Sequence, residues 1–137
     1  MQDLSRWERV VLWLLGTSMV AIGISHFTNP EPFIRIVPDY LPAAAALVFV
    51  SGAFEIAGGV GVLVPTTRRA AAWGLVLLFV AVFPANINMA INGIQLEPEN
   101  PVPIWALWAR LPFQVLFIGT AWRFTRRSPT VAASPAA

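Results

Sequence analysis

The sequence predicts an all-α integral membrane protein, a four-helix bundle, on three observations. Four apolar stretches approach the ~20 residues needed to cross ~30 Å of hydrocarbon; they run over about 7–27, 43–64, 70–92 and 104–122. Charged residues make up only 12% of the chain against 57% hydrophobic ones, where soluble domains carry roughly 25% charged. So few charges cannot cover a water-facing surface, although they can cap helices in lipid. The arginines also gather near the ends of the stretches. Lipid offers the backbone no hydrogen-bond partner, so every span must be helical.

The first stretch, Trp7 to Phe27, is too long for the apolar region of a signal peptide. Asp3 and Glu8 precede or open it, and no small-x-small cleavage site follows Ile24. It is read as a retained anchor. The connection Thr28 to Pro42 carries prolines at 30, 32, 38 and 42. Asn29-Pro30 suits a helix cap and first helical residue. Phe33, Ile34, Ile36 and Val37 surround Arg35, which predicts a short interfacial helix over the mouth of the bundle. The second span is rich in small residues: Ala53, Ala57 and Gly61 form a small-xxx-small ladder, with Gly52 and Gly59 on a neighbouring face. Such positions let helices approach closely. The third and fourth spans contain Pro84 and Pro112. Each frees the carbonyl four residues earlier, at Val80 and Trp108. These are either plain membrane kinks or carbonyls that line a polar pocket. The transmembrane domain is placed at 1–127 and a disordered tail at 128–137.

Arginine distribution sets the expected orientation. Arg6, Arg9, Arg68, Arg69, Arg123, Arg126 and Arg127 fall on one side, against Arg35 alone on the other. The positive-inside rule then puts both termini in the cytoplasm. Trp7, Trp105 and Trp122 sit near the predicted interfaces, as aromatic belts do. Localisation in a bacterial inner (plasma) membrane is expected. The net charge is only +2 and the arginines serve helix ends, so no nucleic-acid partner is expected.

Five polar residues inside or near the spans are the candidate ligand-binding set: His26, Glu55, Asn86, Arg110 and Gln114. Glu55 lies ~18 Å from the outer end of its helix, Gln114 ~15 Å, and Arg110 and Asn86 ~9 Å each. His26 is close to the outer end of the first span. A charge at the centre of a span costs ~2.5–3.5 kcal/mol even on insertion scales. Glu55 and Arg110 are therefore expected to face the interior and find partners: each other, or each other through water or Gln114. Asn88 is ~200° around the helix from Asn86, so Asn86 is assigned to the pocket, and Asn88 with Asn92 to the outer loops. The cytoplasmic half offers only Thr17, Ser18 and Thr120, so the polar column reads as a blind pocket open to the outer side. For each residue a purely structural account competes. Glu55 and Arg110 could be an ion pair that fixes packing, His26 could bond a loop carbonyl, and Asn86 and Gln114 could simply tie helices together. One histidine and no cysteine argue against a metal site, and a haem held by two histidines would need two chains.

Several runs carry a family resemblance. Gly23-Ile24-Ser25-His26-Phe27, then Pro30, Phe33, Val37-Pro38 and Leu41-Pro42, look like the opening of DoxX-like membrane proteins. Ser51-Gly52 with Glu55 and Gly58-Gly59 is similar to their second helix. Phe83-Pro84-Ala85-Asn86 with Met89, and Arg110-Leu111-Pro112-Phe113-Gln114, resemble the later ones. The resemblance covers about residues 10–124 and implies a four-helix bundle. It also implies association with quinol-linked oxidases, thiosulfate oxidation at the quinone pool, or redox-stress complexes. Relatives with cysteine pairs suggest thiol chemistry; this chain has no cysteine and departs from them.

Three functions compete. The first is a binding subunit that holds a quinone or small amphiphile in the polar pocket, as an accessory to a membrane redox system. The sequence supplies no electron carrier, so oxidoreductase activity would require a partner protein. The second is a non-catalytic assembly or interaction factor for a partner membrane protein, or a homo-oligomer, docking through the outer loop. A transporter ranks last, because the cytoplasmic half has no polar path and no inverted repeat is visible.

The lack of native cysteine makes the orientation directly testable. Ser5→Cys, Thr67→Cys and Ser128→Cys are expected to resist a membrane-impermeant thiol reagent in intact cells, whereas Asn29→Cys and Asn100→Cys react. Labelling of Thr67→Cys in intact cells reverses the assignment.

Overall fold

The computed structural model describes residues 4–126; Arg127 and the segment 128–137 expected as a tail lie outside them. Five helices follow in order: α1 (Arg6–Thr28), α2 (Glu31–Ile36), α3 (Ala44–Leu63), α4 (Arg68–Asn92) and α5 (Ile104–Arg123). No strand occurs among the described residues. α1, α3, α4 and α5 are each long and apolar enough to cross a membrane. Their ends fall within two residues of the sequence boundaries.

Local chemistry explains where each helix begins and ends. Ser5 caps α1: its hydroxyl accepts from the Glu8 N–H, and the Glu8 carboxylate accepts from the Ser5 N–H. This reciprocal pair satisfies two otherwise orphaned donors. Asn29 ends α1 rather than starting α2, which is capped by Pro30 and holds Pro32 in its first turn. α4 stops at Gly93, whose φ of 63° is the left-handed conformation glycine adopts without steric penalty. Ala43, ahead of α3, takes a similar φ of 55°, a strained position for a residue with a β-carbon.

α1 packs on α3, α3 on α4 and α4 on α5, while α1 and α5 touch far less; α2 rests on α3 and α4. The α1–α3 seam is made by two facing glycine pairs, Gly16 with Gly59 and Gly23 with Gly52. A β-carbon on Gly59 would lie 2.6 Å from the Gly16 carbonyl oxygen, and one on Gly23 would lie 2.6 Å from the Gly52 carbonyl oxygen. No real side chain fits at those distances, so the two backbones are in contact. Seven residues separate the glycines on each helix, about two turns, so both pairs fall on one seam.

This corrects the expected ladder. Ala53 and Ala57 are exposed, and Gly61 faces Ala71 of α4. α3 has small residues on two faces, and α1 offers glycines to only one of them. The face that lets backbone meet backbone takes the contact.

Two apolar clusters close the bundle. Leu12, Leu15, Met19, Val62, Ala72, Leu75, Val76, Phe79, Ala121 and Phe124 fill the half that holds the termini. That end is latched by Arg69 Nε donating to the Thr125 carbonyl (3.0 Å) and by an ion pair between Arg123 and Glu8. The hydroxyls of Thr17 and Thr120 donate to carbonyls of their own helices. At the other end Ile36, Met89 and Leu107 form a smaller cluster.

Gly59→Leu is expected to destabilise the protein by ~1–3 kcal/mol or more, as overpacking does, because it forces α1 from α3. Ala57→Leu points outward and is expected to leave the melting temperature in detergent unchanged. Equal melting temperatures for Gly59→Leu and wild type would remove the glycine seam from the core.

Candidate functional site

Four helices and the α2 segment surround one cavity of about 800 Å³ in the half away from the termini. Its lining is mostly apolar. His26, Glu55, Asn86, Arg110 and Gln114 all contribute to it, one from each of α1 and α3, one from α4 and two from α5. Met19 and Phe79 belong both to the lining and to the apolar cluster beyond it. They form the floor.

The α1–α3 seam places the first two residues. At Gly52 a β-carbon would sit 2.7 Å from His26 Cβ and 3.0 Å from its Nδ1. The bare backbone there leaves the imidazole room to cross α3, and Glu55 follows three residues on. His26 Nδ1 lies 3.3 Å from Glu55 Oε2 and 3.4 Å from Ser51 Oγ. Ser51 uses its own hydrogen on the Val48 carbonyl at 2.9 Å. With two acceptors before it, Nδ1 is assigned as the protonated ring nitrogen. Phe33 of α2 meets the ring edge-on at 3.9 Å between centroids.

The contact with His26 does not satisfy Glu55. It lacks hydrogen-bond alignment, and among the described residues Oε2 has no hydrogen-bond partner. The Glu55 side chain is only 8% exposed. A buried carboxyl oxygen without an aligned donor is expensive, and the Glu55 side chain is part of the cavity lining.

A second polar pair ties α4 to α5. The Asn86 amide donates to Gln114 Oε1 at 3.1 Å, and the Gln114 amide donates to the Phe79 carbonyl at 2.9 Å. Asn88 turns the other way and donates to the Ile36 carbonyl of α2 at 3.0 Å; Asn92 donates to the Asn88 side chain at 2.7 Å.

One expectation fails, and the prolines take the plainer of their two readings. Glu55 is met by His26, not Arg110, which is exposed and makes no ion pair or side-chain hydrogen bond among the described residues. The reason is the order of packing. α5 lies against α4, and only α1 and α4 flank α3 closely. The carbonyls freed by the prolines also do not line the cavity: Val80 and Trp108 are exposed at its outside, and the Phe79 carbonyl is used instead. Ser51 and Phe33, contacts of His26, entered the sequence reading only through a resemblance or as apolar loop residues. The four-residue spacing of Ser51 and Glu55 was the available signal.

No cluster of three or more His, Cys, Asp or Glu side chains suited to a metal ion occurs among the described residues. The site thus belongs to a helix bundle with four spans of membrane-crossing length and a largely apolar cavity carrying a few convergent polar groups. The chain belongs to the family described as Domain of unknown function (DUF8561), which it matches over residues 15–125, the whole site included. No curated protein and no solved structure matches it.

Double-mutant cycles on thermal stability separate the contacts. His26→Leu with Glu55→Leu is expected to show a coupling of ~0.5–3 kcal/mol, as contacting groups do, while Arg110→Leu with Glu55→Leu adds independently. Gln114→Leu is expected to cost ~0.6–1.7 kcal/mol. A coupling between Arg110 and Glu55 as large as that of the His26 pair would overturn this assignment.

Proposed function

We propose that the protein binds a quinone or another small amphiphile in this cavity, as an accessory to a membrane redox system. The observation that carries the reading is the Glu55 carboxyl, buried and with one oxygen lacking a hydrogen bond, in the wall of a cavity whose other walls are mostly apolar. A molecule with a compact polar head and an apolar body complements both features. The volume falls in the range of ~300–1,000 Å³ typical of small-molecule sites. Asn86, Gln114 and Arg110 supply further polar contacts from the opposite wall, and His26 holds its Nδ1 proton beside Glu55.

The resemblance to DoxX-like proteins supports the same reading, since it implies work near the quinone pool. The chain brings no electron carrier of its own, so a partner redox protein would transfer the electrons. The membrane is the bacterial inner membrane. The described arginines other than Arg35 and Arg110 fall at the end that holds the termini, which supports a cytoplasmic location for both. The cavity then lies in the outer half, with α2 at the outer interface. A second reading, docking of a partner membrane protein, has one specific observation in its favour. Tyr40, beside Asp39 in the α2–α3 connection, is 76% exposed.

The test is a quinone titration followed by quenching of tryptophan fluorescence on delipidated protein in nanodiscs. Wild-type protein is expected to show saturable quenching. Glu55→Leu and Gln114→Leu are expected to weaken it at least about tenfold, the equivalent of ~1.4 kcal/mol, while remaining folded. Absence of saturable quenching in the wild type, or identical Kd values in both variants, would sink the proposal.

A further inference from the structure

We infer that the ligand's apolar tail lies in the α3–α4 seam and that the ligand enters there sideways from the lipid. This rests on the binding reading above and specifies it: the ligand is a bilayer-dissolved molecule with a chain, whose head meets Glu55.

The cavity also reaches the surface at Ile22, Arg110 and Phe113, a route that carries a charge; most of its other sides are closed. The half towards the termini is filled by the larger apolar cluster, with Met19 and Phe79 as the floor. The opposite end is covered by Ile36 of α2 packed with Met89 and Leu107. The α1–α3 seam is shut by backbone contact at the glycine pairs. On the far side of α3 the lining runs outward instead. Leu47, Val50 and Phe54 of α3 and Gly74, Leu77 and Ala81 of α4 all line the cavity and are all exposed. Ser51 and Glu55 lie on the next face of α3, and Leu78 and Val82 on the next face of α4, and these line its interior. A continuous apolar groove therefore leads from the buried carboxyl to the surface that faces lipid.

At Gly74 the groove wall is open. A β-carbon there would meet nothing within 4 Å, whereas one on Gly58 of α3 would lie 2.5 Å from Leu75 of α4. The helices close tightly at Gly58 and leave open space beside it. From the level of Leu47 to that of Gly58 the groove extends ~16 Å along the helix axis, enough for an extended chain.

An aqueous ligand would have no use for this groove. Its exposed walls are entirely apolar, and in a bilayer they would face acyl chains. A chain laid in it exchanges lipid contacts for protein contacts, while the head meets the Glu55 carboxyl. The expected opening at the outer end is therefore replaced by one in the side of the bundle.

The test compares two probes on wild type and Gly74→Phe in nanodiscs by tryptophan quenching: a decyl-substituted benzoquinone, and the same ring with a methyl group in place of the decyl chain. The new side chain enters open space, so the variant is expected to keep the wild-type melting temperature. It is expected to weaken the decyl compound at least about tenfold, the equivalent of ~1.4 kcal/mol, because the new ring occupies the path of the chain. Binding of the methyl compound is expected to stay within about twofold. The ratio between variant and wild type cancels the greater partition of the longer probe into lipid. Equal weakening of both probes, or of neither, overturns the placement of the tail while leaving head binding intact. Failure of wild type to bind either probe overturns the underlying reading as well. Ala81→Phe, on the same groove wall, repeats the test if Gly74→Phe melts early, and the same two outcomes decide it.

Discussion

Everything about the cavity depends on the backbone contact between α1 and α3. In a membrane there is no hydrophobic drive to bring helices together, because lipid tails are as apolar as leucine. Close packing must supply the attraction, and Gly16, Gly23, Gly52 and Gly59 permit it. The same absence of side chains at Gly52 admits the His26 ring, so one device fixes both the fold and the polar site. The helix seam and the polar site share residues here, and a substitution that loosens one disturbs the other.

The remaining helices are held differently. α4 and α5 meet through the Asn86–Gln114–Phe79 chain of hydrogen bonds and through the apolar cluster near the termini. α5 has little contact with α1. The bundle is therefore tight on one side and looser on the other, with the cavity between the two regimes. The arginine-rich end is additionally fastened by Arg69 to Thr125 and Arg123 to Glu8, so the looseness is confined to the half that carries the cavity.

Much of this was legible in the chain itself. Span lengths, helix ends and the five polar residues follow from hydropathy, caps and the cost of polar groups in lipid. The opposite orientations of Asn86 and Asn88 followed from helical geometry alone. What sequence could not supply was the order of packing around the ring. Glu55 and Arg110 are the obvious opposite charges, and only knowledge that α5 is remote from α3 rules out their pairing. The choice between the glycine face and the alanine face of α3 was likewise undecided, because it depends on which helix offers matching glycines. Gly16 and Gly23, spaced like Gly52 and Gly59, were a readable hint.

Gln114 carries a consequence of its own. Its amide accepts through Oε1 from Asn86 and donates through Nε2 to the Phe79 carbonyl. Nearly isosteric glutamate would present an acceptor, as a carboxylate, to a carbonyl that is also an acceptor. Shorter asparagine would have the right chemistry but one methylene less reach. The joint between α4 and α5 thus has a direction, set by which end of one amide carries hydrogen. A side chain of the same size but the wrong polarity would turn attraction between the two helices into repulsion.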